Sequence, residues 1–80
     1  MKSNYEKGKL WGFKTILKSY EEDGNKGIGR CDKASSTCKK YADDLSIKKT
    51  KNGKVLTKPM REYYRGIADG MLAGYNKIKY

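Results

Sequence analysis

Between Asp44 and Glu62 the chain holds no acid, while six cations fall there: Lys48, Lys49, Lys51, Lys54, Lys58 and Arg61. Closely spaced cations with no carboxylate among them can meet successive phosphates of a polyanion, and release of condensed counterions drives that contact. The same run has a bland reading, because lysines on an exposed edge keep a protein from aggregating. A second cluster centres on the single tryptophan. Trp11 lies among Lys7, Lys14, Lys18 and Thr15. An aromatic among cations suits the stacking of a base or a hot spot for a protein partner. Trp11 equally suits the core, folded against the Gly8 side where an absent side chain leaves room.

Other chemistries are excluded or weakly supported. The 80 residues contain no His, which removes Ser-His-Asp and Cys-His catalysis and imidazole metal ligation. The nine acids cluster only as Glu21-Glu22-Asp23 and Asp43-Asp44. Neighbours on a helix point about 100° apart, so these are not paired catalytic carboxylates. Cys31 and Cys38 are seven positions apart. In one helix their Cα atoms would stand about 10 Å apart, beyond disulfide reach. A bridge requires a helix that starts near Ser36, and one pair of thiols cannot complete a four-ligand zinc site. Two reduced, partly buried thiols are expected, with a disulfide as the alternative. No enzyme activity, metal or cofactor is expected.

The glycine-rich segment Gly24-Asn25-Lys26-Gly27-Ile28-Gly29-Arg30 invites motif readings. A calcium loop starting at Asp23 fails, because its sixth position is Ile28 and its twelfth is Ala34. Walker and dinucleotide fingerprints need a preceding strand. Gly24-Asn25-Lys26-Gly27 resembles the Gly-x-x-Gly loop of KH domains, and a helix, two strands and a helix would follow in KH order. The strand and the apolar residues that lead into that loop are missing. In a chain with nine glycines such a tetrapeptide arises readily by chance.

The elements that must position these residues follow from periodicity and caps. Lys+Arg number 19 against nine Asp+Glu, a formal charge of +10, and Leu, Ile, Val and Phe total only twelve. Seven Tyr, one Trp and three Met supply the remaining bulk for a thin core. A single domain over residues 1–80 is expected. Ser3 and Glu6 fit a capping box opening a helix over about 4–22, with Tyr5, Phe13, Ile16, Leu17 and Tyr20 on its apolar face. Residues 23–31 read as a glycine-rich loop, and a short helix is expected over about 33–45 with Ala34, Cys38, Tyr41, Ala42 and Leu45 as its stripe. Asn52-Gly53 between two short β-type runs predicts a Lys-rich hairpin over about 46–57. Pro59 opens a last helix over about 58–78, with Met60, Tyr63, Tyr64, Ile67, Met71, Gly74, Tyr75 and Ile78 on one face.

An internal echo links the two long helices. Tyr5 to Phe13 and Tyr63 to Met71 both read Tyr, any residue, basic, Gly, three residues, Gly, large apolar. Each glycine inside a helix costs about 0.5–1 kcal/mol against Ala. Gly8, Gly12, Gly66, Gly70 and Gly74 therefore call for compensation. Close packing of the first and last helices would supply it, as in membrane Gly-x-x-x-Gly pairs, and close approach of a ligand is the alternative.

The expected fold is mainly α (small α+β): two long glycine-containing helices packed together, a short middle helix and a Lys-rich hairpin. The expected function is non-enzymatic contact with nucleic-acid phosphates, with little sequence specificity, by Lys48, Lys49, Lys51, Lys54, Lys58 and Arg61. Lys7, Lys14 and Lys18 would assist, with Trp11 stacking. The alternative is a small inhibitor or adaptor, of the kind phages and mobile elements encode. It would bind an acidic or nucleic-acid-handling protein through Trp11, Arg65 and Tyr80. No apolar run is long enough to span a membrane, and Met1-Lys2-Ser3-Asn4-Tyr5-Glu6 has no leader-like stretch, so the cytoplasm is the expected compartment.

Overall fold

Ser3 starts the first helix: its Oγ accepts the backbone N–H of Glu6 at 3.1 Å, and α1 runs from Asn4 to Asp23. The structure, a computed structural model, describes residues 2–80; Met1, the first residue read for a leader, lies outside them. α2 spans Asn25–Asp43 and α3 spans Lys58–Lys79. Thr57 caps α3 by accepting from the N–H of Met60, and Pro59 occupies its first turn. Lys77 and Lys79 complement the negative end of its dipole in the last turn.

Two sequence expectations are corrected. The glycine-rich segment 23–31 is not a loop, and the middle helix is not short. One residue, Gly24, makes the whole corner between α1 and α2. Its φ of 59° and ψ of −134° are open to glycine and strained for other residues. Its N–H caps Tyr20 O, and its own carbonyl accepts from Gly27 and Ile28. Gly27 is then buried against the backbone of Ser19, where a side chain would collide. Glycine here serves close contact between α1 and α2 inside a helix, which local propensity reads as a breaker. The Gly-x-x-Gly reading falls with it, since only Gly24 of that tetrapeptide lies outside a helix.

The predicted β-hairpin is also absent. Among the described residues no strand or sheet forms, and the fold is a three-helix bundle. The Asn52-Gly53 turn is present, with Gly53 at φ 86° and its N–H donating to Thr50 O at 2.9 Å. Beyond it lies one isolated antiparallel bridge, Lys49 with Val55. Lysines alternate poorly with apolar residues here, and of the segment's side chains only Leu56 is buried. A two-stranded ribbon without a third strand or a helix to cover its face does not persist as a sheet.

The core is built where the helices meet. Ile16, Cys31, Ile67 and Met71 form the buried cluster, with Cys38, Tyr63, Tyr64 and Ile78 packed on it. α1 and α3 share the most extensive contact and run parallel, since Tyr5 meets Gly66 and Lys9 meets Gly70. α2 runs antiparallel to α3, with Asn25 reaching Lys79 at one end and Asp43 reaching Arg65 at the other. The α1–α3 contact is reciprocal. A Cβ on Gly8 would lie within 3.0 Å of the Tyr63 carbonyl oxygen, and one on Gly66 equally close to that of Tyr5. Gly12 stands in the same relation to Ile67, and Gly70 to Lys9. The sequence echo is thus a pseudo-twofold pair of helices whose backbones touch, the geometry in which Cα–H groups face carbonyls. Gly74 instead makes room for the Ile16 side chain.

Some residues assigned to the core stripes are exposed. Leu45 lies beyond the end of α2, and Tyr20 and Tyr75 stand at the helix surfaces.

Candidate functional site

The lysine-rich connection between α2 and α3 is anchored by one arginine. The guanidinium of Arg61 donates to the backbone carbonyls of Tyr41 at 2.9 Å, Asp44 at 3.0 Å and Ile47 at 2.5 Å. Asp44 Oδ1 accepts from both the N–H and the hydroxyl of Ser46. Those bonds, the Ser46 hydroxyl foremost, hold its carboxyl below the usual carboxylate range. Further along, the Tyr41 hydroxyl accepts the N–H of Lys51 at 2.9 Å, and Tyr41 stacks edge-on against Tyr64 at 5.2 Å. The base of the segment is thereby pinned, while Lys48, Lys49, Lys51, Lys54 and Lys58 are all exposed. Arg61, expected among the phosphate ligands, is half-buried and engaged with these carbonyls.

The parallel course of α1 and α3 brings their first turns to this same end of the bundle. Ser3, Asn4 and Tyr5 line a hollow of about 300 Å³ with Lys58, Pro59 and Glu62. Asn4 and Lys54 share another of about 290 Å³ with Pro59 and Met60. The positive ends of α1 and α3 therefore stand beside Lys54 and Lys58, while the negative end of α2 lies at the same end of the bundle, where Arg61 and Arg65 engage it. Among the described residues no lysine forms an ion pair; the three that occur belong to Arg30 with Asp23 and to Arg65 with Asp43 and Glu62.

On α1, Lys7, Trp11, Lys14 and Lys18 are exposed together, Trp11 at 50%. The hollow at Gly8 and Gly12, into which Trp11 was a candidate to fold, is filled by the backbone of α3. Arg65 is half-buried and donates to Asp43, Glu62 and the Ala42 carbonyl, which makes it part of the α2–α3 contact. Tyr80 is 98% exposed at the end of α3. The structure therefore does not bring Trp11, Arg65 and Tyr80 onto the same element face, and each has different surroundings.

One feature went unread in the sequence. A cleft of about 570 Å³ opens between α2 and α3, with Cys31 and Met71 among its lining and Ile28, Leu72 and Tyr75 beside them. It depends on Ile28 belonging to a helix, which the glycine-rich reading hid. Cys31 and Cys38 both lie in α2 as free thiols, and burial pushes the Cys38 thiol up. No group of three or more metal-ligating side chains converges among the described residues, and no helix is long and apolar enough to cross a membrane. Comparison with protein-family models, curated proteins and solved structures returns no match.

Proposed function

We propose that this protein is a non-enzymatic nucleic-acid-binding module that grips phosphates by charge and does not read sequence. The observation that carries the reading is the acid-free set Lys48, Lys49, Lys51, Lys54 and Lys58, exposed and, among the described residues, without ion-pair partners, with Lys54 and Lys58 beside the N-termini of α1 and α3. Ammonium groups already paired with carboxylates would gain little from a phosphate; these have no such partner to give up. Five phosphate contacts give a log–log salt slope of roughly −4. Affinity for a labelled oligonucleotide, followed by anisotropy, should fall about 10²–10³-fold between about 50 and 200 mM salt. Each Lys→Gln change in the set should lower the slope by about one, whatever the sequence of the oligonucleotide. Absence of binding at the lower salt concentration would defeat the proposal.

The second reading, an adaptor for another protein, draws support from Leu72 and Tyr75, which stay exposed along the α2–α3 cleft. Under it, Leu72→Ala would abolish capture of a partner while the lysine changes would leave capture intact.

A further inference from the structure

The outer face of α1 carries a pattern that charge alone does not account for. Asn4, Lys7, Trp11, Lys14 and Lys18 fall within an arc of about 80° at 100° per residue, and all five are exposed. The arc begins at Asn4, which shares its hollow with Lys54, so the stripe continues the lysine-rich end along the helix for about 16 Å beyond Lys7. α1 holds no acid between Glu6 and Glu21, and among the described residues neither Lys7, Lys14 nor Lys18 has an ion-pair partner. At the centre is the largest apolar side chain of a protein with a thin core, half exposed rather than packed. It has no gap to retreat into, because the adjoining glycine face is closed by α3.

We infer that this stripe is a track for single-stranded nucleic acid, in which Trp11 stacks on an unpaired base and Lys7, Lys14 and Lys18 hold the flanking phosphates. The inference rests on the charge-driven reading above and adds a preference for strand type. Cations on both sides of the ring select a polyanion as occupant. An indole standing out from a helix needs a free base face, and within a duplex both faces of every interior base are already stacked. Stacking is tolerant of base identity, so no sequence preference follows.

The test uses the full chain with 24-residue oligothymidylate, oligouridylate and a 24-base-pair duplex, by anisotropy and by the fluorescence of Trp11, the only tryptophan. Trp11→Ala and Trp11→Leu should each weaken single-strand binding by about fivefold or more and duplex binding by less than about twofold. Wild-type fluorescence should be quenched by the single strands and not by the duplex. The two single strands tell whether the sugar matters to the track. Far-UV circular dichroism of both variants establishes that they fold, and Trp11→Leu keeps the apolar bulk while removing the aromatic face. Equal losses on single strand and duplex, or no loss on either, would overturn the inference and leave the charge-driven reading standing. Absence of salt-dependent binding by the wild type would remove both.

Discussion

Gly8 and Gly66 do the same job on two parallel helices: each sets its Cα against the carbonyl oxygen of the residue three places before the other, Tyr63 for Gly8 and Tyr5 for Gly66. Gly12 and Gly70 repeat the relation one turn on, through Ile67 and Lys9. The obstacle at each position is backbone, which cannot rotate away as a side chain can. The helix-propensity cost of these glycines is offset by an approach that no other residue permits.

Gly66→Ala should destabilise the protein by about 3 kcal/mol or more, since overpacking against fixed backbone forces the helices apart. Gly29→Ala should act in the opposite sense. Gly29 is helical and exposed, with no atom near its missing Cβ, and alanine there should add about 0.5–1 kcal/mol. Urea midpoints of the two variants decide the matter. A mild Gly66→Ala would mean that the helices do not meet backbone to backbone.

Gly24→Ala tests the corner. Space is not the obstacle, for no atom approaches its missing Cβ; the obstacle is the backbone at φ 59° and ψ −134°. Alanine should cost about 1–3 kcal/mol in thermal or chemical denaturation. Equality with wild type would mean that the chain turns some other way.

Arg61→Lys keeps the charge and loses the fork that reaches three carbonyls. Stability should drop by about 2 kcal/mol or more. Limited proteolysis should cut residues 44–57 sooner, while the salt slope of oligonucleotide binding stays unchanged. A slope reduced by one in the charge-removing variant Arg61→Gln, with proteolysis of Arg61→Lys unaltered, would make Arg61 a phosphate ligand instead of an anchor.

Asp44 gives a pH dependence whose direction is fixed. Its carboxyl titrates below the usual range when folded, owing to Ser46, so its contribution to stability is present above the unfolded value of about 3.9. The contribution is lost as pH falls through the lower, folded value. Asp44→Ala should therefore melt below wild type at pH 6, with the difference closing towards pH 2. A difference constant across that range would place the effect outside ionisation.

The sequence carried α1 and α3 on strong local signals: Ser3 as a cap, Pro59 in a first turn and a repeated glycine spacing that tertiary contact explains. It was misleading where local rules and packing conflict. Gly27 and Gly29 read as loop because propensity weighs each glycine alone, whereas Gly27 is what lets α2 approach Ser19. Asn52-Gly53 predicted a turn and the turn is there, but strands need neighbours, and a helical bundle offers none. Of the candidate site, the exposed lysine run was legible from charge, whereas wheel position left Trp11 open between surface and core, and only the closure of the Gly8 and Gly12 face by α3 puts it on the surface. Arg61 was not, because only its distance from three carbonyls distinguishes an anchor from another surface cation.

The pairing of α1 with α3 also bears on how fast the chain acquires its shape. The principal interface joins Tyr5 to Gly66 and Lys9 to Gly70, each 61 positions apart in a chain of 80, while helices adjacent in sequence share the lesser contacts. Its formation must close a long loop before the glycine contacts contribute. Helical bundles owe their microsecond-to-millisecond folding to local contacts, and contact order here is raised by placing the partners at opposite ends. This protein should accordingly fold more slowly than up-down helical bundles of its size.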